Sequence, residues 1–508
     1  MRRLVLSLAL ALPLLTHPGA SPAQDGGKIA AEAPSPPPKD LEARKRWLRE
    51  RLDETLATPA LSKARIAMAV MDFETGKLLY TRNEKAPMNV ASNVKLVTEA
   101  ATLSALGPEF RWKTSVLAPI HSDGKTIASG GELRGDLYLR GMGDPTLDTE
   151  DLTSLANQLA AVGLRRVRGG LVMDASAFDN TILPPAFDQK NESGAFRAAS
   201  SAASLDNNVV TLTFLPGRTA GAKARVIVDP PSPAIVVTGT VVTSKGASTL
   251  RVETGDGGAG RTKVSISGRI RVGSEPRVLT RRVWDPETFL GETFRRVLQK
   301  RGITIDKPNR SGTTPKDGMR TLASHDSSTL AVVVHELGKR SNNFAAEQLL
   351  RTLGGETFGL PGTFSKGLGA VERYLDGLGI PKNTYVMKNG SGLYDSNRFT
   401  AEQLVTVIRA AMRDFRIASE YLASLSVGGA DGTLAHRMAG SAAERFVRGK
   451  TGTLATVSCL SGVAGAPGLK PLIFSILVND VASPVAARAV QDRLAAFLVL
   501  FLDPSLAN

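Results

Sequence analysis

Apolar positions change their spacing along this chain, and the changes divide it. From Asp40 to about Thr58, Leu41, Trp47, Leu48, Leu52 and Leu56 recur at helical spacing and predict one amphipathic helix. A hairpin follows: strand Arg65–Met71, turn Glu74-Thr75-Gly76-Lys77, strand Leu78–Tyr80. A polar connection then leads to a strong helical stretch from Val94 to Leu106, stopped by Gly107-Pro108. Between about 110 and 300 the pattern becomes short Val- and Thr-rich runs, such as Val226–Val228 and Val236–Val242. Turns such as Gly255-Asp256-Gly257-Gly258 punctuate them, and the block reads as predominantly β. Helical spacing returns at 286–300, 328–338, 342–353 and 366–378. Strands are expected near 446–463 and 471–479, with a last helix from Pro484 to about Leu500. A β-rich block inside an α/β frame points to an insertion into one parent domain.

The N-terminus adds a location. Arg2-Arg3, the apolar run Leu4–Leu15 and Ser21-Pro22-Ala23 have the order of a secretory signal with its cleavage site. The run is too short to span a bilayer. Residues 24–39 form a Pro-rich linker. The organisation expected is a signal at 1–23, a linker at 24–39, a parent domain from 40–105 and 300–508, and a β-rich insertion of one or two modules at 106–299. The mature chain is expected outside the cytoplasm, in the periplasm, with no transmembrane segment.

Composition narrows the partners. The chain has 508 residues, 42% hydrophobic and 22% charged, as in soluble globular proteins, and a formal net charge of +15. That charge favours weak association with anionic envelope surfaces. With 5% aromatic residues and no basic block interleaved with aromatics, nucleic acid is not an expected partner. A single cysteine, Cys459, excludes an intrachain disulfide and a cysteine metal cluster. No His-Glu-x-x-His or comparable ligand set occurs, so neither a metal nor a cofactor is expected.

Serine chemistry is the candidate. Histidine-based activation has poor support, with five histidines and no Gly-x-Ser-x-Gly elbow. Lysine-based activation fits Ser92-Asn93-Val94-Lys95, where residues three apart share a helix face and the helix N-terminus favours a developing alkoxide. Ser-x-x-Lys alone is weak, and Ser122-Asp123-Gly124-Lys125 matches it within a mere turn. Ser341-Asn342-Asn343 opens a helix, supplying a hydroxyl and a side-chain amide, and taken alone reads first as an N-cap. Lys450-Thr451-Gly452-Thr453 sits on an expected strand, where cation, hydroxyl and glycine suit an edge that pairs with a peptide and binds its carboxylate. The ordered triplet is specific, because each member lies on the element its role requires.

These motifs resemble the D-alanyl-D-alanine carboxypeptidases/endopeptidases of the penicillin-binding protein 4 type. So do Gly141–Leu147 (GMGDPTL), Asn389-Gly390-Ser391-Gly392-Leu393 and Asp431-Gly432-Thr433-Leu434, and Ser92 and Ser341 enclose the long insertion that marks this class. The resemblance implies an α+β, β-lactamase-like transpeptidase domain: an antiparallel sheet flanked by helices, carrying the insertion. It implies Ser92 as nucleophile, Lys95 as general base, Ser341 as proton relay and Lys450 as organiser of the network. Asn343 would contact the substrate amide, and Thr451, Gly452 and Thr453 would bind its end, with the N–H groups of Ser92 and Thr453 as oxyanion hole. Peptidoglycan stem peptides would be substrates and β-lactams covalent inhibitors. A β-lactamase and a non-catalytic envelope scaffold are the alternatives. Two positions depart from the family: Tyr394-Asp395 stands where Ser-Arg is common, and Leu454-Ala455 follows the Lys-Thr-Gly-Thr stretch where a polar residue often stands second.

Overall fold

The computed structural model describes residues 36–507. The expected signal and most of the linker lie outside the described residues. Three strands carry the frame. Arg65–Asp72, Val457–Ala464 and Leu472–Asn479 sit at the centre of a six-stranded antiparallel sheet. Its order runs Leu78–Arg82, Arg65–Asp72, Leu472–Asn479, Val457–Ala464, Val447–Leu454, Ser426–Val427. The strands 457–464 and 472–479 are buried at every position, because helices cover both faces. On one face Trp47, Leu48 and Leu52 of helix Leu41–Leu56 pack with Leu494 and Phe497 of helix Pro484–Leu502. On the other, Val97 and Ala100 of helix Lys95–Leu106 meet Leu349 and Leu350 of helix Asn343–Phe358, and Leu404 and Ile408 of helix Ala401–Arg413.

The inserted layer builds its own core. A separate apolar cluster runs from Val116 to Ala323, centred on Leu139, Leu155, Leu171, Leu212, Phe214 and Phe289. Its sheets are mixed, with parallel pairs such as Leu137–Arg140 beside Leu171–Asp174. Strands Val209–Leu215 and Thr262–Arg271 alternate buried and exposed positions, the mark of a sheet with one face toward solvent. The block is not β alone, since helices Thr149–Ala161 and Pro286–Lys300 pack in the same core. The expected return at residue 300 falls inside this layer. Thr304–Ile305, Arg310–Ser311 and Met319–Asp326 all pair with strands of the insertion, and the first helix packed back into the parent core is Leu330–Arg340. Thr304–Ile305 and Arg310–Ser311 are too short for hydrophobic spacing to reveal, and Met319–Asp326 buries only Ala323, so it lacks an apolar alternation. No helix among the described residues is long and apolar enough to cross a membrane.

Candidate active site

Ser92 lies in a 3-10 turn, Ala91–Val94, that runs directly into helix Lys95–Leu106. Ala91 takes a left-handed φ of 45°, a strained conformation for a residue with a Cβ and one that concentrates at functional turns. The turn is held against strand Val447–Leu454. A Cβ on Gly452 would lie 2.6 Å from the carbonyl oxygen of Val90, so only glycine lets the strand approach this closely.

Lys95, fully buried, reaches three acceptors with its Nζ: Ser92 Oγ at 3.1 Å, Asn343 Oδ1 at 2.7 Å and the Ser391 carbonyl at 2.5 Å. Burial, then the Lys450 cation, pull its pKa well below the ordinary lysine value, and Glu347 and Glu99 oppose them. The two closer partners can only accept, so they occupy two hydrogens of the amine. Once neutral, the amine has its lone pair left for the Ser92 hydroxyl.

On the far side, Lys450 Nζ donates to Ser341 Oγ at 2.8 Å and to the Thr451 carbonyl at 3.0 Å. Burial lowers its pKa too, with Glu99 opposing. Ser341 caps helix Leu330–Arg340 in a left-handed conformation, φ 55°. Asn342 is the N-cap of the following helix, accepting from the Ala345 N–H. Capping and chemistry therefore divide between neighbours, leaving Ser341 and Asn343 to face the two lysines. Thr451 Oγ1 donates to Thr433 Oγ1 at 2.9 Å, while Thr453 is exposed on the same strand. Ser426–Val427 pairs only with Gly449 and Arg448, so the outer side of Lys450–Leu454 has no strand partner among the described residues.

The structure thus gathers Ser92, Lys95, Ser341, Asn343, Lys450 and Gly452 beside the open side of Thr451 and Thr453. The decoy stays apart, in a loop whose Gly124 donates back to the His121 carbonyl. Asp431-Gly432-Thr433 serves as support, with Asp431 pairing to Lys339 at 2.8 Å. Four participants escaped sequence reading. Glu99 and Glu347 are fully buried acids one helical turn beyond Lys95 and Asn343, a spacing that places them on the same faces. Ser391 stands in the Asn389–Leu393 motif, but its part as a backbone acceptor for Lys95 has no side-chain signature. Phe196, from the insertion, accepts Asn343 Nδ2–H through its carbonyl at 2.9 Å. The insertion also holds the Tyr394-Asp395 departure: Tyr394 Oη donates to Glu192 at 2.7 Å, and the Asp395 backbone pairs with the Gln189 amide. Asp395 accepts from Asn89 at 3.0 Å and pairs with Arg398 at 2.5 Å.

Residues 48–499 match the D-Ala-D-Ala carboxypeptidase 3 (S13) family. The chain belongs to that family. Among its S13 relatives is a D-alanyl-D-alanine carboxypeptidase of Actinomadura sp. (strain R39), 36% identical over 468 residues, which cover 89% of this chain and 84% of the relative. The crystal structure of penicillin-binding protein 4 from Haemophilus influenzae superposes with a TM-score of 0.75 at 22% identity, covering 88% of this chain and 97% of the other. The same protein complexed with a β-lactam gives 0.70 at 22% identity, over 87% and 98%. The fold is therefore that of penicillin-binding protein 4: an antiparallel sheet between helices, with an added layer.

Proposed function

We propose that this S13 peptidase is a serine D-alanyl-D-alanine carboxypeptidase acting on peptidoglycan stem peptides through an acyl-enzyme on Ser92. The observation that carries the reading is the set of partners on Lys95 Nζ, which commits two hydrogens elsewhere and leaves the Ser92 hydroxyl opposite the lone pair. Ser92 Oγ attacks the carbonyl carbon of the penultimate D-alanine as Lys95 takes its proton. The N–H groups of Ser92 and Thr453 hold the oxyanion; one such donor is worth about 10²–10³ in rate. The C–N bond breaks, Ser341 Oγ passes a proton from the Lys450 side to the leaving amine, and D-alanine departs. The Lys95 ammonium then restores a proton to Lys450. Water attacks the ester carbonyl as the neutral Lys95 takes one of its protons and hands it to Ser92 Oγ while the ester C–O bond breaks. The trimmed peptide leaves as its carboxylic acid and Ser92 is free.

Substrate binding follows from the open strand side. The peptide extends beside Lys450–Leu454 as an added strand, its amide facing Asn343 and its terminal carboxylate facing Thr451 and Thr453. Peptide crosslinks are cleaved by the same steps with a larger leaving group, and β-lactams acylate Ser92 as substrate mimics. That the Haemophilus protein has been seen with a β-lactam supports the last point. The signal-like N-terminus supports a periplasmic setting, with the basic charge giving weak contact to anionic envelope surfaces. The test is release of D-alanine from a diacylated Lys-D-Ala-D-Ala peptide. The parent releases it and Ser92→Ala does not; release by both proteins contradicts the reading.

A further inference from the structure

Helix Asn343–Phe358 carries Asn343, Glu347 and Arg351 on one stripe, at i, i+4 and i+8, and both charged members are fully buried. Arg351 has its own employment, pairing with Asp179 at 2.6 Å and donating to carbonyls of the insertion. Glu347 contacts no substrate position in the mechanism above. Its two oxygens accept consecutive backbone N–H groups, Gly390 at 3.1 Å and Ser391 at 2.8 Å. The residue so clamped is the one whose carbonyl receives a hydrogen of Lys95 Nζ. Asn389 Oδ1 closes the same loop by accepting from the Gly392 N–H at 2.9 Å.

We infer that Glu347 is a positioning residue for the Lys95 base: by clamping the 390–391 backbone it keeps the Ser391 carbonyl on the amine and thereby aims the amine's lone pair at Ser92. The inference rests on the acyl-enzyme reading. If the clamp is loosened, the Ser391 carbonyl leaves Nζ, the amine gains a free hydrogen, and its lone pair no longer has one direction. Glu347 also supplies a negative charge to a crowded site. The charged groups facing Lys95 are Lys450, Glu347 and Glu99; those facing Glu347 are Lys95 and Arg351; Tyr421 and Ser424 lie against Glu99. Glu347 favours the lysine's ammonium form, so removing its charge makes Lys95 a neutral base at lower pH.

The experiment is the pH profile of Ser92 acylation by benzylpenicillin in three full-length proteins: parent, Glu347→Gln and Glu347→Asp. An amide can accept only one of the two N–H groups and opposes the other with its own NH₂. Glu347→Gln is therefore expected to acylate about 10²-fold more slowly at saturation, with half-saturation changed less than about threefold. Its acid limb should lie lower by about half a pH unit or more. Glu347→Asp keeps the charge but is too short to span both N–H groups, so it should be slow with the acid limb in place. A residue that merely fills space would leave rate per folded molecule and limb unchanged. Glu347→Gln within about threefold of the parent, with an unmoved limb, overturns the inference. Should Glu347→Gln fail to melt cooperatively, a parent-like rate in Glu347→Asp overturns it equally. A parent that is not acylated at all refutes the proposed function instead, so the two failures are distinguishable.

Discussion

The parent layer and the inserted layer bury different things. In the parent layer Lys95, Glu99, Glu347, Arg351 and Lys450 have no exposed surface and lie in one neighbourhood, whereas the buried charged groups of the insertion, such as Asp174 and Arg282, keep slight exposure. The core strands of the insertion alternate Leu, Phe and Val inward, and strand 262–271 sends Lys263, Arg269 and Arg271 outward to solvent. Burying unpaired charge costs several kcal/mol per ion, so a fold retains it only where the groups satisfy one another or serve chemistry. The contrast teaches where to look for function: in the layer that stabilises itself least efficiently. The segment 185–196 of the insertion reaches into the site: its Phe196 and Pro185 carbonyls accept from Asn343 and Asn389, and its Gln189 side chain donates to the Asp395 carbonyl.

Breaking the comparison at its strongest point means removing the proposed nucleophile. Ser92→Ala should lower D-alanine release by about 10⁴-fold or more while the melting temperature holds. Next in size is Lys95→Met, which removes the base but fills the same space. Its acylation rate should fall by about 10³-fold, and the melting temperature should fall as well, because Met leaves the Asn343 Oδ1 and the Ser391 carbonyl without their donor.

A matched pair of glycine substitutions sharpens the contrast further. Gly452→Ala forces a Cβ toward the Val90 carbonyl, shifts the Ser92 turn and should cost about 10²-fold in acylation. Gly268→Ala, in the insertion, meets the Thr249 carbonyl at 1.7 Å from a φ of 104°. It should lower the melting temperature yet leave acylation per folded molecule unchanged. In the same spirit, Leu212→Ala should cost about 2–5 kcal/mol of insertion stability, read by denaturant unfolding, with little effect on acylation. Equal losses of activity from both layers would erase the distinction.

The smallest effect is with pH. Lys95 must be neutral to take the Ser92 proton, and its pKa is held below the ordinary lysine value by burial and Lys450. Acylation should therefore fall as pH falls through that lowered pKa, by tenfold per unit on the acid limb. A flat profile from mildly acidic to alkaline pH would mean that Lys95 is not the titrating base.

Most of the parent layer was legible because its elements are long and their spacing unambiguous. Helices 330–340, 343–358 and 364–377 shift by a few residues at most of their ends, and in the insertion helix Pro286–Lys300 falls where the pattern puts it. Helix Ala401–Arg413 went unread, although its Thr400/Gln403 capping box is a sequence signature. The site motifs were legible because the chemistry fixes their local spacing. Glu99 and Glu347 were not, since an acid four residues from a motif reads on paper as a solvated helix face. Only the fold reveals that both faces are covered. The Ser391 carbonyl and the Phe196 carbonyl belong to backbone, where residue identity carries no message.

The measurement closest to the central claim is intact-mass spectrometry of the purified protein after brief exposure to benzylpenicillin, followed by peptide mapping. The account predicts one long-lived adduct of the antibiotic's mass on the peptide containing Ser92, absent from Ser92→Ala. Intact antibiotic with no adduct would contradict it, as would rapid turnover with no persistent acyl group, which would make the chain a β-lactamase.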